Sequence, residues 1–358
     1  MGGRATPERP LAGVSGGGIR RGERDGSREP GGLYGPGSEA WRLNREAALL
    51  LGAGPLAILL QIAHPIVAEG VAQHSTFRED PWARLDGTLR SYLRIVYASA
   101  ATARAEIRRL NTLHRTVTGP VSDPEAVSRF GRAYAARDPE LSLWVHATLV
   151  WATLTTVDRW LVPVPHERRA RFYAETLVIG RGFGVPDAML PADLDAFEAY
   201  VTGMLGPGGP VRPSPVSRDL AHAILHPPLA PLVERGAVAR RLGAAAPRLA
   251  GLLRHVPRSA LTPLLVPAVG LMPAATRAEL GLPWGPAERA LDAWLTTMWR
   301  AWRPLFPPSV RWFPQALAAD RRVAADGGAD GGADGGADKR PGATSARARR
   351  AAEAPPSG

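Results

Sequence analysis

The 358-residue sequence has no cysteine, and its one lysine is Lys339. The missing thiols exclude disulfide frameworks, thiolate zinc sites, iron–sulfur clusters and cysteine nucleophiles. With no lysine before residue 339, a P-loop and a Schiff-base enzyme are excluded as well. Any metal must be held by His, Asp or Glu. Long apolar runs are also scarce. The longest, residues 47–60, is interrupted by Gly52, Gly54 and Pro55 and falls short of the roughly 18 residues needed to cross a bilayer. It reads as a buried core helix. Arg20-Arg21 resembles a twin-arginine pair, but glycines and charges follow it in place of an apolar segment. The expectation is a cytoplasmic protein without a transmembrane segment.

What the chain does have is an ordinary apolar share, 45%, with 22% charged residues and a formal net charge of +11. Glycine is abundant at 39 residues, but 12 fall in residues 1–39 and 8 in residues 320–358. Residues 1–39 therefore read as a disordered Gly/Arg-rich tail. Residues 319–358, with Ala325-Asp326-Gly327-Gly328 and two further copies, read as a low-complexity disordered tail. Between them, residues 40–318 suffice for a single large domain.

That domain reads as all-α. Asp80 and Pro81 suit the N-cap and first position of a helix running to about Ala98. Ala103, Ile107, Leu110, His114 and Val117 form an apolar stripe at helical spacing over residues 102–117. Helical patterns recur near 124–136, 139–158, 166–182, 192–205, 216–226, 231–243 and 286–302, separated by proline-rich breaks, and no run alternates convincingly as strands do.

Familiar catalytic motifs fail on context. Gly13-Val14-Ser15-Gly16-Gly17 matches a nucleophile elbow but lies in the expected tail. Gly52-Ala53-Gly54-Pro55-Leu56-Ala57 matches a dinucleotide fingerprint but follows no strand, and reads as a packed or kinked helix. Neither paired Glu-x-x-His nor His-Glu-x-x-His occurs. The basic charge raises nucleic-acid binding, but no recognisable module accompanies it, and the arginine bias runs through the whole chain. No nucleic-acid partner is expected.

The histidines carry the remaining chemistry. His114 lies on an apolar stripe whose other faces bear Arg104, Arg108, Arg109 and Arg115. A neutral imidazole there suits either a core histidine bonded to a backbone carbonyl or a single axial ligand of a haem. His146, beside Trp144, allows the same two readings. His64 precedes Pro65, where a kink frees backbone groups that an imidazole can cap. Arg84 and Thr88, at i and i+4, share a helix face from which arginine could grip a carboxylate.

These residues fall in longer blocks. Gln61-Ile62-Ala63-His64-Pro65, followed by Val67, Gly70-Val71, His74-Ser75, Phe77, Asp80-Pro81 and Arg84-Leu85, resembles the first signature block of the MpaB/rubber-oxygenase family, to which the latex-clearing proteins belong. Leu113 to Gly119, Asp138-Pro139-Glu140-Leu141, Trp144 to Thr148, Phe183-Gly184-Val185-Pro186 and Gly281-Leu282-Pro283-Trp284 extend the resemblance over about residues 40–315. It points to the bacterial MpaB-like oxygenase branch.

The resemblance implies an all-helical fold and a b-type haem on one proximal histidine, with dioxygen cleaving carbon–carbon double bonds of isoprenoid chains. By position it makes His114 the iron ligand, with His146 and His64 as supporting or alternative ligands. Arg84 and Thr88 match the ends of the family's Arg-x-x-(Lys/Arg)-Thr motif beside the haem. The basic position of that motif is Gly87 here, which argues against polyisoprene itself and for another apolar substrate. The family's catalytic carboxylate lies upstream, and Glu69 is the candidate; the other reading of Glu69 is a solvated helix position. The alternative function is a helical protein that binds haem or a hydrophobic ligand without turnover.

Charge is unevenly spread. Residues 84–115 hold 7 arginines against Asp86 and Glu106, beside the expected haem ligand, where two propionates would need partners. Residues 212–258 hold 8 against Asp219 and Glu234, an excess with no assigned role.

Overall fold

The structure, a computed structural model, describes residues 31–75, 81–234 and 243–333. Its helices are α1 (Glu39–Asn44), α2 (Ala53–Ala63), α3 (Pro65–His74), α4 (Pro81–Tyr97) and α5 (Ala100–His114), then α6 (Pro124–Phe130), α7 (Pro139–Trp160) and α8 (His166–Gly182). There follow α9 (Leu194–Leu205), α10 (Pro215–Leu225), α11 (Ala230–Glu234), α12 (Ala246–Leu253), α13 (Thr262–Gly270) and α14 (Ala274–Glu279). The last are α15 (Pro286–Trp302), α16 (Pro308–Arg311) and α17 (Pro314–Ala333). The fold is all-α, as the periodicity predicts, apart from one small hairpin.

That hairpin corrects the helix expected over 124–136. Gly131 takes φ +92°, a left-handed conformation that ends α6 at Phe130. The chain then turns back as β2 (Ala133–Ala135), antiparallel to β1 (Thr118–Pro120), with Gly119 opposite Tyr134. The apolar stretch around residues 47–60 is likewise broken. A 3₁₀ turn over Ala47–Leu50 precedes α2.

The centre of the molecule is α2 against α7. Leu56, Leu59, Leu60 and Ile62 of α2 and Trp144, Ala147 and Val150 of α7 are buried together. Gly52 lets the two elements approach: a Cβ there would overlap Thr156 of α7. Trp144 Nε1 donates to Leu60 O at 3.3 Å, and Gln61 Nε2 donates to Thr148 Oγ1 at 3.0 Å. Gly52 of the fingerprint-like run thus serves helix packing. At Pro65 the chain bends by 105° between Ala47–Ala63 and Pro65–His74. No single helix among the described residues is long and apolar enough to cross a membrane.

The folded part extends past both expected domain boundaries. Ser38 caps α1, accepting from Trp41 N at 3.1 Å, and buried Glu39 receives Arg168 Nε and Nη2 at 3.1 and 2.8 Å. At the other end, Ala316 and Ala319 of α17 are buried with Trp41, Leu93 and Tyr97. Trp41 Nε1 donates to Asp320 Oδ1 at 2.8 Å. The boundary expected at 318/319 therefore falls inside a packed helix, because alanines on its inner face continue the apolar stripe beyond that point. The expected tail residues 1–30 and 334–358 lie outside the described residues.

Candidate functional site

α4 and α5 form a helical hairpin whose middle is closed by ion pairing. Ser99 caps α5, accepting from Thr102 N at 3.4 Å. Glu106, 4% exposed, receives Ser91 Oγ at 2.7 Å, Arg94 Nη1 at 3.2 Å and Arg109 Nη2 at 2.6 Å. The Arg109 hydrogen bond leads in holding its carboxyl at a pKa of about 2, against the cost of burial. Two of the seven arginines counted between 84 and 115 thus serve this carboxylate, and Arg90 pairs with Asp86.

Away from the turn the hairpin opens. Arg84, Thr88 and Ser91 lie on one face of α4, and Ser91 sets that face toward α5. Arg84, Gly87 and Thr88 are exposed, and no atom lies within 4 Å of where a Cβ on Gly87 would stand. Thr88 Oγ1 donates to Arg84 O at 2.9 Å, so its hydrogen is occupied while its lone pairs face outward. Arg84 has no carboxylate partner among the described residues. The expected N-cap, Asp80, and neighbouring Glu79 and Phe77 lie outside them.

His114, the last residue of α5, faces this opening. It is half-buried, in contrast to the fully buried stripe position its spacing suggests, because it sits where the helix ends. Its ring makes no hydrogen bond among the described residues. Burial, and then the charge of Arg84, hold its pKa below the ordinary imidazole value, so the neutral ring with a free lone pair dominates near pH 7. Phe183 supports it at a centroid distance of 6.2 Å. The close approach of α8 that brings Phe183 there depends on Gly182, where a Cβ would press to 3.2 Å from Ile107, and on Asn111 Nδ2 donating to Gly182 O at 2.8 Å. Asn111 and Glu106 were not singled out in the sequence, although Glu106 is the one carboxylate among the arginines of α5.

The other candidates are placed elsewhere. His146 is buried under α8, with a Cβ on Gly180 only 3.4 Å from its Cδ2. Its Nε2 has no partner, and burial lowers its pKa to about 4, so it is neutral. His64 is the N-cap of α3, its Nδ1 accepting from Ile66 N at 3.3 Å. Burial, with a smaller push from Arg129, lowers its pKa to about 4. Both are closely packed, His64 at the kink as its position before Pro65 suggests.

Glu69 is 2% exposed rather than a solvated helix position. It accepts from Ser122 N at 2.9 Å, from Ser122 Oγ and from Gln73 Nε2 at 2.9 Å. Burial pushes its pKa up, but these hydrogen bonds and the Asp123 backbone outweigh it and keep the carboxylate ionised. It ties α3 to the segment after β1. Only a distant partner, Ser122, shows this, and spacing within the chain cannot.

Of the candidates, then, Arg84, Thr88 and His114 come together. An axial haem ligand must be an uncharged imidazole with an unblocked nitrogen, and propionates need a free cation. His114 and Arg84 meet those requirements at an opening that Gly87 leaves clear. His146, with α8 pressed against its ring, does not offer comparable room.

Residues 41–304 match the family described as "ER-bound oxygenase mpaB/B'/Rubber oxygenase, catalytic domain". The chain belongs to this family. The matched segment contains all the candidate residues described above, from His64 to His146. Two mycobacterial proteins are similar over a shorter stretch, "Uncharacterized protein Rv2237" of Mycobacterium tuberculosis and "Uncharacterized protein Mb2261" of Mycobacterium bovis. Each is 29% identical over 150 residues, 40% of this chain and 55% of the relative. The match thus spans about half the length of these curated relatives. No solved structure matches significantly. The description of this family is of oxygenases.

Proposed function

We propose that this chain is a haem-b-dependent oxygenase acting on an apolar, alkene-bearing substrate of the isoprenoid class. One observation supports the reading within an oxygenase family: His114 presents a neutral imidazole beside Arg84, and among the described residues the ring has no hydrogen bond and the guanidinium no carboxylate. His114 would hold the haem iron through a ring nitrogen, and Arg84 would pair with a propionate. Haem, when bound, supplies the ferrous centre at which dioxygen reacts.

The remaining residues shape the surroundings. Thr88 gives its hydrogen to Arg84 O and so turns only acceptor lone pairs to the opening. Gly87, standing where the rubber-cleaving branch carries a basic residue, leaves room for a different chain from polyisoprene. Phe183 packs beside the His114 ring and limits water there. Glu69 acts as a positioning residue that keeps α3 against residues 122–123. His146 and His64 support the architecture as neutral buried rings.

The absorption spectrum of the purified full chain tests this reading. A Soret band is expected, present as isolated or gained on adding hemin; its absence in both conditions would sink the proposal. His114→Ala should lose the band and His146→Ala keep it, and the reverse result would move the ligand to His146.

A second reading is a non-catalytic binder of haem or of a hydrophobic ligand, and for the latter there is a separate apolar recess. It measures about 260 Å³ and is lined by Leu225, Val266, Val269, Leu282, Trp284 and Leu291. A haem-loaded protein that is six-coordinate and inert to dioxygen would favour it.

A further inference from the structure

A second recess plays no part in that chemistry. It lies where α1 and the end of α7 meet the 303–312 segment, and has a volume of about 230 Å³. Five arginines line it: Arg42, Arg45, Arg168, Arg303 and Arg311. Val157, Leu161 and Val162 form an apolar wall.

Two carboxylates answer the five guanidiniums. Glu39 engages Arg168 through two hydrogen bonds and has Arg42 at 3.6 Å. Glu46 engages Arg303 at 3.2 and 2.6 Å. Arg45 and Arg311 have no carboxylate partner among the described residues. Both lie against the indole of Trp312, with guanidinium carbons 4.3 and 5.6 Å from the ring centroid. Two like charges therefore share one ring, and they repel in a partly enclosed space where water screens poorly.

Two donors here are also without acceptors. Arg311 Nε and Trp312 Nε1 are buried and make no hydrogen bond among the described residues. A buried donor left unpaired costs about 1–3 kcal/mol. The place is held by backbone, since Phe313 N donates to Arg45 O at 2.8 Å and Glu46 bridges to Trp312. Surplus cations, orphaned donors and a fixed frame share one complement. An oxyanion supplies negative charge and several acceptors, and guanidinium forks match its geometry.

We infer that this recess binds a phosphate-class oxyanion, held by Arg45 and Arg311 with Trp312 Nε1 as a further donor. The volume accommodates a phosphate or diphosphate group, and the apolar wall suits an attached alkyl chain. The phosphate is thus either free or the headgroup of an anionic lipid. The inference does not depend on haem or on His114.

The test uses the full chain in low salt. Calorimetric titration with inorganic phosphate and pyrophosphate, and co-sedimentation with phosphatidylglycerol-containing vesicles against phosphatidylcholine alone, cover the two sources. Saturable binding of at least one anionic probe is expected, weakened tenfold or more in Arg45→Gln and in Arg311→Gln, and falling with salt. Arg254→Gln, at an exposed arginine just after α12 that pairs with Glu234 of α11, should leave binding unchanged. Trp312→Phe keeps the ring and removes the Nε1 donor, so it should weaken binding less than either arginine change. Thermal melts of the ligand-free variants establish that they fold. Pyrophosphate binding with no vesicle binding identifies a free phosphate, and vesicle binding lost in Arg45→Gln identifies a headgroup. No saturable binding of any probe, or equal binding by folded Arg45→Gln, Arg311→Gln and the parent, would overturn the inference.

Discussion

The pair α2/α7 and the pair α4/α5 treat polar residues in opposite ways. Between α2 and α7 every gap is filled. Gly52 sits against Thr156, Trp144 reaches Leu60 O, and the nearby polar groups His64 and Glu69 are consumed by capping and loop anchoring. Between α4 and α5 the middle of the hairpin is closed by Glu106, and the far end leaves Arg84, Gly87 and Thr88 exposed beside half-buried His114. Polar residues with partners explain the fold, and those without one mark where a ligand completes the structure. The packed half has exceptions among the described residues, His146 Nε2, Thr156 Oγ1 and Trp160 Nε1, buried without a partner inside close packing.

The largest expected effect belongs to the packed half. Trp144, 1% exposed, fills the α2/α7 interface, and Trp144→Ala should cost about 3–5 kcal/mol by chemical denaturation. A loss under about 1 kcal/mol would show that this interface is not the centre of the fold.

Acidification should come next. Native His64 and His146 accept protons only near pH 4, whereas unfolded imidazoles do so near pH 6.5. The unfolded chain therefore binds more protons between those values, and stability falls as pH drops through that window. Each histidine contributes a loss on the order of 3 kcal/mol by pH 4. Glu106 acts in the same direction in a lower window, since its lowered pKa contributes stability above about pH 4.5 that is lost as pH falls toward 2. Denaturation midpoints between pH 7 and pH 4 should thus follow the histidines, and His146→Gln should flatten part of the slope.

The open half should respond gently. Gly87→Ala meets no atom within 4 Å and relieves a helix-interior glycine, so it should raise stability by about 1 kcal/mol. A lowered melting temperature would mean that something occupies that space. His114→Ala is the smallest change in stability, within about 0.5 kcal/mol, because the half-buried ring gives up no hydrogen bond. Its loss of haem with unchanged denaturation would separate a ligand from a core residue most sharply.

Much of this was legible from spacing. The helices around 81–97, 139–160, 166–182 and 286–302 follow from 3.6-residue periodicity and proline breaks. The cap at His64 follows from its proline. The small hairpin was hidden, because three-residue strands are too short to show alternation and Gly131 acts through one dihedral. The site was legible as a set of residues, but not as an arrangement. Glu69 allowed a catalytic carboxylate or a solvated helix position, and its burial depends on Ser122, distant in sequence. The arginine recess joins residues 42–46, 168 and 303–312, and no local window contains them all.

By itself the sequence determined the absence of thiol and lysine chemistry, the helical class, and the blocks that match the family. Those properties reside in residue identity and near-neighbour spacing. Tertiary structure alone decided which arginines are neutralised, which histidine is free, and where the chain remains open. Charge pairing and burial depend on distance in space, and packing brings together residues as far apart as Arg45 and Trp312 that the chain keeps separate.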